Sequence, residues 1–406
     1  MGKKWEIEKN DCERLVGFNV RKVSVIGAAY TKFGEHWEKS FRELAVEAGV
    51  KALENAGVEG KDIQALYGAS MASGTFIGQE HVGALLADQM GLNPIPAIRC
   101  EAACASGGVA FRQAYLAVAS GAYDIVAVGG VEKMTDVSVE EAATALGGAG
   151  DQEWELFYGA TFPSIYALMA RKYLHDFNAK EEDFAAVAVK NHYNGARNPL
   201  AQYQKEITIE EVMNSGYIAT PLKLLDCSPI TDGAAVAILC ASELAKKYSD
   251  LPIEILASAQ ASDTLALASR HCLTELHATK IAAREAFKQA KLEPKNVDVV
   301  EVHDCFTNAE VMAIEDIGFF EKGKGAKATS DGATALNAQI SVNTSGGLKS
   351  CGHPVAATGI KQVCEIVEQL RGGAKQRQVS NAEIGMTHNV GGSGATAVIH
   401  LFKRGD

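Results

Sequence analysis

AGVEGKDIQALYG (residues 56–68) and AKLEPKNVDVVEVH (residues 290–303) align from their first residue without a gap, Glu59 falling on Glu293 and Lys61 on Lys295. Each stretch follows an amphipathic helical pattern and leads into an apolar run, so each reads as the same helix-to-strand passage written twice in one chain. Upstream of the first copy, residues 22–30 read as a buried strand. Ser40 and Glu43 form a capping box that opens a helix, and Gly57 ends it in the left-handed C′ role. A strand at 63–67, a helix near 80–90, a strand at 97–103, a helix through Ser120 and a strand at 125–128 follow. Around the second copy the pattern returns: a strand at 253–257, a helix at 278–290, a strand at 297–302, a helix at 358–371 and a closing strand at 395–402.

This alternation predicts an α/β protein of two duplicated halves: an extension over 1–21, a first half over 22–250 and a second over 251–406. Residues 131–225 break the rhythm with polar helical sequence and six tyrosines, so they read as an insertion that covers a site. Duplicated α/β halves direct the carboxyl ends of their strands, and hence their ligand turns, to a shared crevice.

Composition narrows the classes. The formal charge of −11, with no Lys/Arg cluster, argues against a nucleic-acid surface. The amino terminus lacks the apolar core of a signal peptide and no 18-residue apolar run suggests a membrane span, so a cytoplasmic protein is expected. The nine cysteines are odd in number and scattered, unlike a secreted disulfide framework.

Four stretches carry chemistry. Cys104, in EAACASGG, sits between a predicted strand and helix, where a helix N-terminus lowers a thiol pKa and small neighbours admit a carbonyl; the bland alternative is a buried cysteine in a tight turn. His353, in SCGHPVAATG, is held between Gly352 and Pro354 as a base for Cys104 and then as a donor to a thioester oxygen, or as a structural histidine. His303, Asp304 and Cys305 emerge at the carboxyl end of the VDVVEV strand, and a second thiol suits a proton moved at an α-carbon once the first is acylated. In THNVGGSGATAVIH, residues 389–394 read as a Gly-rich turn presenting backbone N–H groups to an oxyanion; a phosphate loop is the competing reading, but the spacing of such a loop is not met. Zinc on His303, Cys305, Cys351 and His353 has the right ligand types, but both pairs are spaced i, i+2, so no metal is expected.

CAS at 104–106, DGAA at 232–235, HDCF at 303–306, GHP at 352–354 and NVGG at 389–392 together resemble, in order, the motifs of the thiolase superfamily. HDCF is similar to the form in sterol-carrier-protein-associated thiolases and archaeal acetyl-CoA acetyltransferases. The resemblance implies a five-layer α-β-α-β-α fold and the condensation of two acetyl-CoA to acetoacetyl-CoA and CoA, feeding HMG-CoA synthesis in the mevalonate pathway. By the same resemblance Cys104 is the acyl nucleophile, His353 its activator, and Cys305 the acid/base at the α-carbon, where other thiolases use a late Cys-x-Gly cysteine. His303 stabilises the oxyanion, the backbone of Gly391 donates to it, and Ser258 contacts the pantetheine of CoA. The family implies CoA thioesters as substrates with no tightly bound cofactor, a homodimer or tetramer, and a complex with HMG-CoA synthase and a small OB-fold zinc-ribbon protein. Other readings remain open at this point: a degradative 3-ketoacyl-CoA thiolase of other chain length, an aldolase or a decarboxylating synthase on the same fold, and a non-catalytic acyl-CoA scaffold.

Overall fold

The computed structural model describes residues 21–405, so the expected extension over 1–21 lies, apart from Arg21, outside the described residues. In chain order the strands are β1 (Val23–Tyr30), β2 (Leu66–Ala69), β3 (Ala97–Cys100), β4 (Ile125–Glu132), the hairpin β5 (Tyr217–Ala219) and β6 (Leu222–Lys223), β7 (Gly233–Ala241), β8 (Ile253–Ser262), β9 (Val299–Glu301), β10 (Ser341–Val342), β11 (Ile384–Gly391) and β12 (Thr396–Arg404). The first half runs β3-β2-β4-β7-β1 and the second β10-β9-β11-β12-β8, the same order and the same strand senses. In each, three parallel strands carry two antiparallel ones at one side. The halves join where β1 meets β8 antiparallel, Ser24 opposite Glu254 and Val25 opposite Ile253, so hydrogen bonding runs through ten strands.

The duplication extends to the turn chemistry. Before β2 the backbone N–H of Glu59 donates to Asp62 Oδ2 (3.0 Å); before β9 that of Glu293 donates to Asn296 Oδ1 (2.8 Å). Lys61 pairs with Glu59 and Lys295 with Glu293, both at 2.6 Å. The predicted capping box is also present, Ser40 and Glu43 bonding reciprocally at the start of Phe41–Ala56, with Gly57 at φ 64° closing it.

Helices form the remaining layers. Phe41–Ala56 and Val82–Gln89 cover the outer face of the first half-sheet and His277–Ala290 that of the second. Ser106–Ala119 and Thr358–Arg371 lie between the half-sheets and touch strands of both, completing five layers. Helix Thr358–Arg371 is accordingly buried all round, and its polar side chains find internal partners: Lys361 with Glu301 (3.1 Å) and Glu365 with Arg377 (2.9 Å). The two central helices meet backbone to backbone. A Cβ on Gly359 would lie 2.4 Å from Gly108 N, and one on Gly107 2.5 Å from Ala356 O. Only glycine permits that approach, and it brings the start of one helix, with Cys104, against the loop before the other, with His353.

The interrupting segment is helical as expected, with Val139–Gly147, Phe162–Phe177, Glu181–Gly195 and Ile209–Asn214, and it ends in the β5/β6 hairpin. Two expectations need correction. Residues 389–391 are not a turn but the end of strand β11, the turn beginning at Gly392, and the strand expected at 97–103 stops at Cys100. Strands β7, β10 and β11 were not anticipated, because their residues are buried on both faces and lack alternation.

Candidate active site

Cys104 occupies a strand-to-helix turn in which Ala103 takes φ 53°, a left-handed conformation uncommon for a residue with a Cβ. Ser106 holds the turn by accepting from Ala102 N–H (2.9 Å) and donating to Ala103 O (2.6 Å). Asn389, from β11, reaches across: its Oδ1 accepts from Gly108 N–H (3.1 Å) and its Nδ2 donates to Cys104 O (3.1 Å) and His303 Nδ1 (3.2 Å).

His353 enters from the GHP loop. Its backbone N–H donates to Thr231 Oγ1 (3.0 Å), and its Nδ1 bonds Thr358 Oγ1 (2.7 Å), whose hydroxyl donates to Pro354 O (3.1 Å). The His303 and His353 rings meet edge to face with centroids 5.0 Å apart. One ligating atom from each of Cys104, His303 and His353 lies within 4.8 Å of the others.

Cys305 follows β9. The single proton of the Tyr166 hydroxyl has two acceptors in reach, the Cys305 sulfur and Gly392 O (3.1 Å), and the ring lies tilted against Phe306 with centroids 4.6 Å apart. Asp304, between the two expected site residues, accepts from Leu348 N–H (2.6 Å), Lys349 N–H (3.2 Å) and Asn191 Nδ2 (2.7 Å), so it ties the HDCF loop to the segment leading into the GHP loop. Asp232 of DGAA is buried and accepts from Met134 N–H (2.6 Å), Thr135 N–H (3.0 Å) and Lys133 Nζ (2.8 Å), anchoring the chain after β4.

Cys104, Cys305, His353, Tyr166 and Gly392 line one cavity of about 310 Å³, whose other walls are mainly apolar and come largely from the inserted segment. Four of the sequence-predicted residues, Cys104, His303, Cys305 and His353, are thus brought together. Gly391 sits one residue behind the wall, where a Cβ would lie 2.3 Å from Ala102 O, and the backbone N–H of Gly392 approaches the Cys104 sulfur. Ser258 is not brought to the cavity: it is buried in β8 and bonded to His400 Nδ1 (3.1 Å). Nor do the four residues considered for zinc converge, since the Cys351 sulfur lies in the central layer beside Asn198 Nδ2 (3.6 Å).

The electrostatics reverse one expectation. The helix N-terminus and the Gly392 N–H favour a thiolate at Cys104, but burial outweighs them and pushes the thiol up to about 12. Burial likewise pushes His353 down to about 3, and holds His303 well below the usual range, helped by its two histidine neighbours. The Cys305 thiol is raised by burial and by nearby Cys104, against the hydrogen bond from Tyr166. The resting site therefore holds neutral thiols and neutral imidazoles, ready to accept or give a proton but not charged. A neutral Cys104 gains thiolate tenfold per pH unit, so its alkylation by iodoacetamide in the substrate-free enzyme is expected to climb without a plateau from pH 7 to about 10. A plateau below pH 8 in a pH–rate series would show a preformed thiolate–imidazolium pair instead.

A strand-to-helix cysteine, a buried histidine and a second thiol around an apolar cavity are the groups that acyl transfer through a cysteine calls for. The chain belongs to the thiolase family: residues 23–243 match the thiolase N-terminal domain and residues 259–404 the thiolase C-terminal domain-like family. It is 54% identical to an acetyl-CoA acetyltransferase of Methanothermobacter thermautotrophicus, over 95% of this chain and 100% of that one, and 51% identical to one of Methanocaldococcus jannaschii, over 95% and 99%. Sterol carrier protein 2 of Gallus gallus is 33% identical over 95% of this chain and 72% of that protein. Among solved structures, an Ltp2–ChsH2(DUF35) aldolase superposes with a TM-score of 0.82 at 25% identity, covering 94% of this chain and 98% of that one. An acetyl-CoA acetyltransferase from Syntrophomonas wolfei superposes at 0.74 and 17% identity, over 95% and 100%, a likeness of fold. Among the described residues no helix is long and apolar enough to cross a membrane.

Proposed function

We propose that the chain is an acetyl-CoA C-acetyltransferase, condensing two acetyl-CoA to acetoacetyl-CoA and CoA. The observation that carries the reading is the meeting of Cys104, Cys305 and His353 at one cavity, two of them thiols that face the same space, with His303 beside Cys104 and His353. The archaeal relatives that bear this name match over 95% of the chain and support it.

In this mechanism His353 Nε2 takes the Cys104 proton as the sulfur attacks the thioester carbonyl of the first acetyl-CoA. The proton moves with the attack, because the neutral pair is favoured until the oxyanion forms. Backbone N–H groups of Cys104 and of the Gly391–Gly392 segment hold that oxyanion. The C–S bond to CoA breaks, CoA leaves with the proton, and acetyl-Cys104 remains. The second acetyl-CoA places its thioester oxygen toward His353 and His303. Cys305 first passes its own proton to His353 Nε2, which becomes a donor to that oxygen. As the thiolate Cys305 then removes a proton from the methyl group, the enolate carbon attacks acetyl-Cys104 to form the new C–C bond, and the electron pair returns to the Cys104 sulfur, which regains a proton from His353. Thiolysis is the same path reversed.

The wider setting belongs to the same proposal: a cytoplasmic homodimer or tetramer that feeds HMG-CoA synthesis in the mevalonate pathway, working with HMG-CoA synthase and a small OB-fold zinc-ribbon protein. The solved aldolase of similar shape is itself a complex with a DUF35 protein, which supports a partner here. The test is thiolysis, following loss of the acetoacetyl-CoA chromophore on adding CoA. Turnover of the wild type that Cys104→Ala abolishes is expected. A wild type inactive on short and medium β-ketoacyl-CoAs would remove the thiolase reading in favour of an aldolase or a scaffold.

A further inference from the structure

We infer that Asn389 is a positioning residue that locks His303 into the tautomer whose Nε2 carries the proton, making that ring a fixed hydrogen-bond donor beside Cys104. The inference rests on the proposed reading in which His303 holds the thioester oxygen.

The orientation of the Asn389 amide is settled by two backbone partners that have no choice of role. Gly108 N–H can only donate, so Oδ1 faces it; Cys104 C=O can only accept, so Nδ2 faces that. The second hydrogen on Nδ2 points to His303 Nδ1 at 3.2 Å. An amide N–H cannot accept, so Nδ1 must offer its lone pair. Burial keeps the ring neutral, with one proton, and that proton is left on Nε2. His303 Nε2 is buried and has no partner among the described residues. An orphaned buried N–H costs about 1–3 kcal/mol. It is expected where a ligand oxygen is to arrive, since a donor set in place beforehand needs no reorganisation at the moment of reaction.

His353 is set the opposite way. The Thr358 hydroxyl donates to Pro354 O and so accepts from Nδ1–H, which leaves the His353 Nε2 lone pair free. Two rings in edge-to-face contact are therefore differentiated by their neighbours, one as a base and one as a donor. The same lock bears on metal binding. Cys104, His303 and His353 are close enough to share a soft divalent ion, but an ion needs a lone pair from every ligand, and Asn389 turns the third corner into an N–H.

Asn389→Asp reverses the lock. A carboxylate cannot donate to His303 Nδ1 but can accept from it, so the proton is drawn to Nδ1 and Nε2 becomes bare. Condensation turnover is then expected to fall by about 10²–10³-fold. The concentration of Zn²⁺ that halves activity is expected to drop at least about tenfold, because the metal gains a third ligand. The direct readout is the ¹⁵N spectrum of the full-length protein labelled at histidine, with the His303 signals identified by their loss in His303→Gln. A protonated-type Nε2 in the wild type and a protonated-type Nδ1 in Asn389→Asp are the expected results. A bare Nε2 in the wild type, or an Asn389→Asp protein with wild-type tautomer and zinc response, overturns the inference. If Asn389→Asp does not fold, Asn389→Ala, which removes the lock without adding charge, must show mixed tautomers. These spectra need no turnover, so a failure of the acetyltransferase reading would appear separately, as wild type that releases no CoA from acetyl-CoA.

Discussion

Cys305→Ala is expected to take an acetyl group onto Cys104 at close to the wild-type rate and then stall, with acetoacetyl-CoA formation and thiolysis both reduced by about 10³-fold. The argument is one of geometry and division of labour. Acylation needs the Cys104 sulfur, a base and the backbone donors, and none of these comes from Cys305. Condensation needs a proton taken from a methyl carbon, and thiolysis needs one returned to it. Cys305 shares the cavity with Cys104 and Cys227, and a hydrogen bond from Tyr166 favours its thiolate against burial, as a base for the methyl proton requires. Rapid-quench measurement of CoA release against steady-state product separates the halves: an undiminished burst followed by negligible turnover is expected. A Cys305→Ala enzyme that turns over normally would move the proton transfer to another group.

Lys361→Met is expected to cost about 3–5 kcal/mol of stability, among the largest effects of any single change away from the cavity. Lys361 lies wholly inside the central helical layer, bonded to Glu301 Oε2 at 3.1 Å and to the Ser345 hydroxyl. Its charge is surrounded by Glu301 and Glu365, which hold the ammonium above its usual range against the effect of burial. Removing the cation leaves Glu301, at the end of β9, buried with hydroxyl and backbone donors but no counter-charge. The companion change Glu301→Gln removes the stranded charge, so the double variant should recover a large part of the loss. Denaturant unfolding of the two singles and the double gives the coupling. Additive losses would show that the pair is not a unit. Because β9 leads directly into His303 and Cys305, partial loss of activity at temperatures where Lys361→Met is still folded is also expected.

Much of this was readable from the chain. The repeat at 56–68 and 290–303 corresponds to the same local chemistry in both halves, an acidic residue whose backbone is capped three positions on and whose side chain pairs with lysine. Such local bonding leaves a mark in sequence. The buried strands β7, β10 and β11 left none, because a strand covered on both faces shows no alternation, and GAAVAILCA reads as readily as helix. At the site, the residues with reactive atoms stood out by type and by their Gly-rich surroundings. The contacts that hold them did not: Thr358 and Thr231 on His353, Asn389 on His303, and Asp304, noted only for its place after a strand, on residues 348 and 349 act across contacts the sequence does not reveal, apart from Thr358, five residues from its partner. NVGG was read for its backbone alone, and the side chain of its asparagine proved to join three motifs. The thiol pKa of Cys104 was misread for a related reason. A helix N-terminus is visible in sequence, whereas the desolvation that outweighs it comes from the whole fold.

The central claim is that Cys104, and not Cys305 or Cys227 in the same cavity, carries the acyl group. Its most direct test is to mix Cys305→Ala enzyme with acetyl-CoA alone, quench in acid and map the acetylated peptide by mass spectrometry. One acetyl group per chain, confined to the peptide containing Cys104 and lost on adding CoA, is the predicted result. Acetyl on another cysteine, or none on an enzyme that still binds acetyl-CoA, would contradict it.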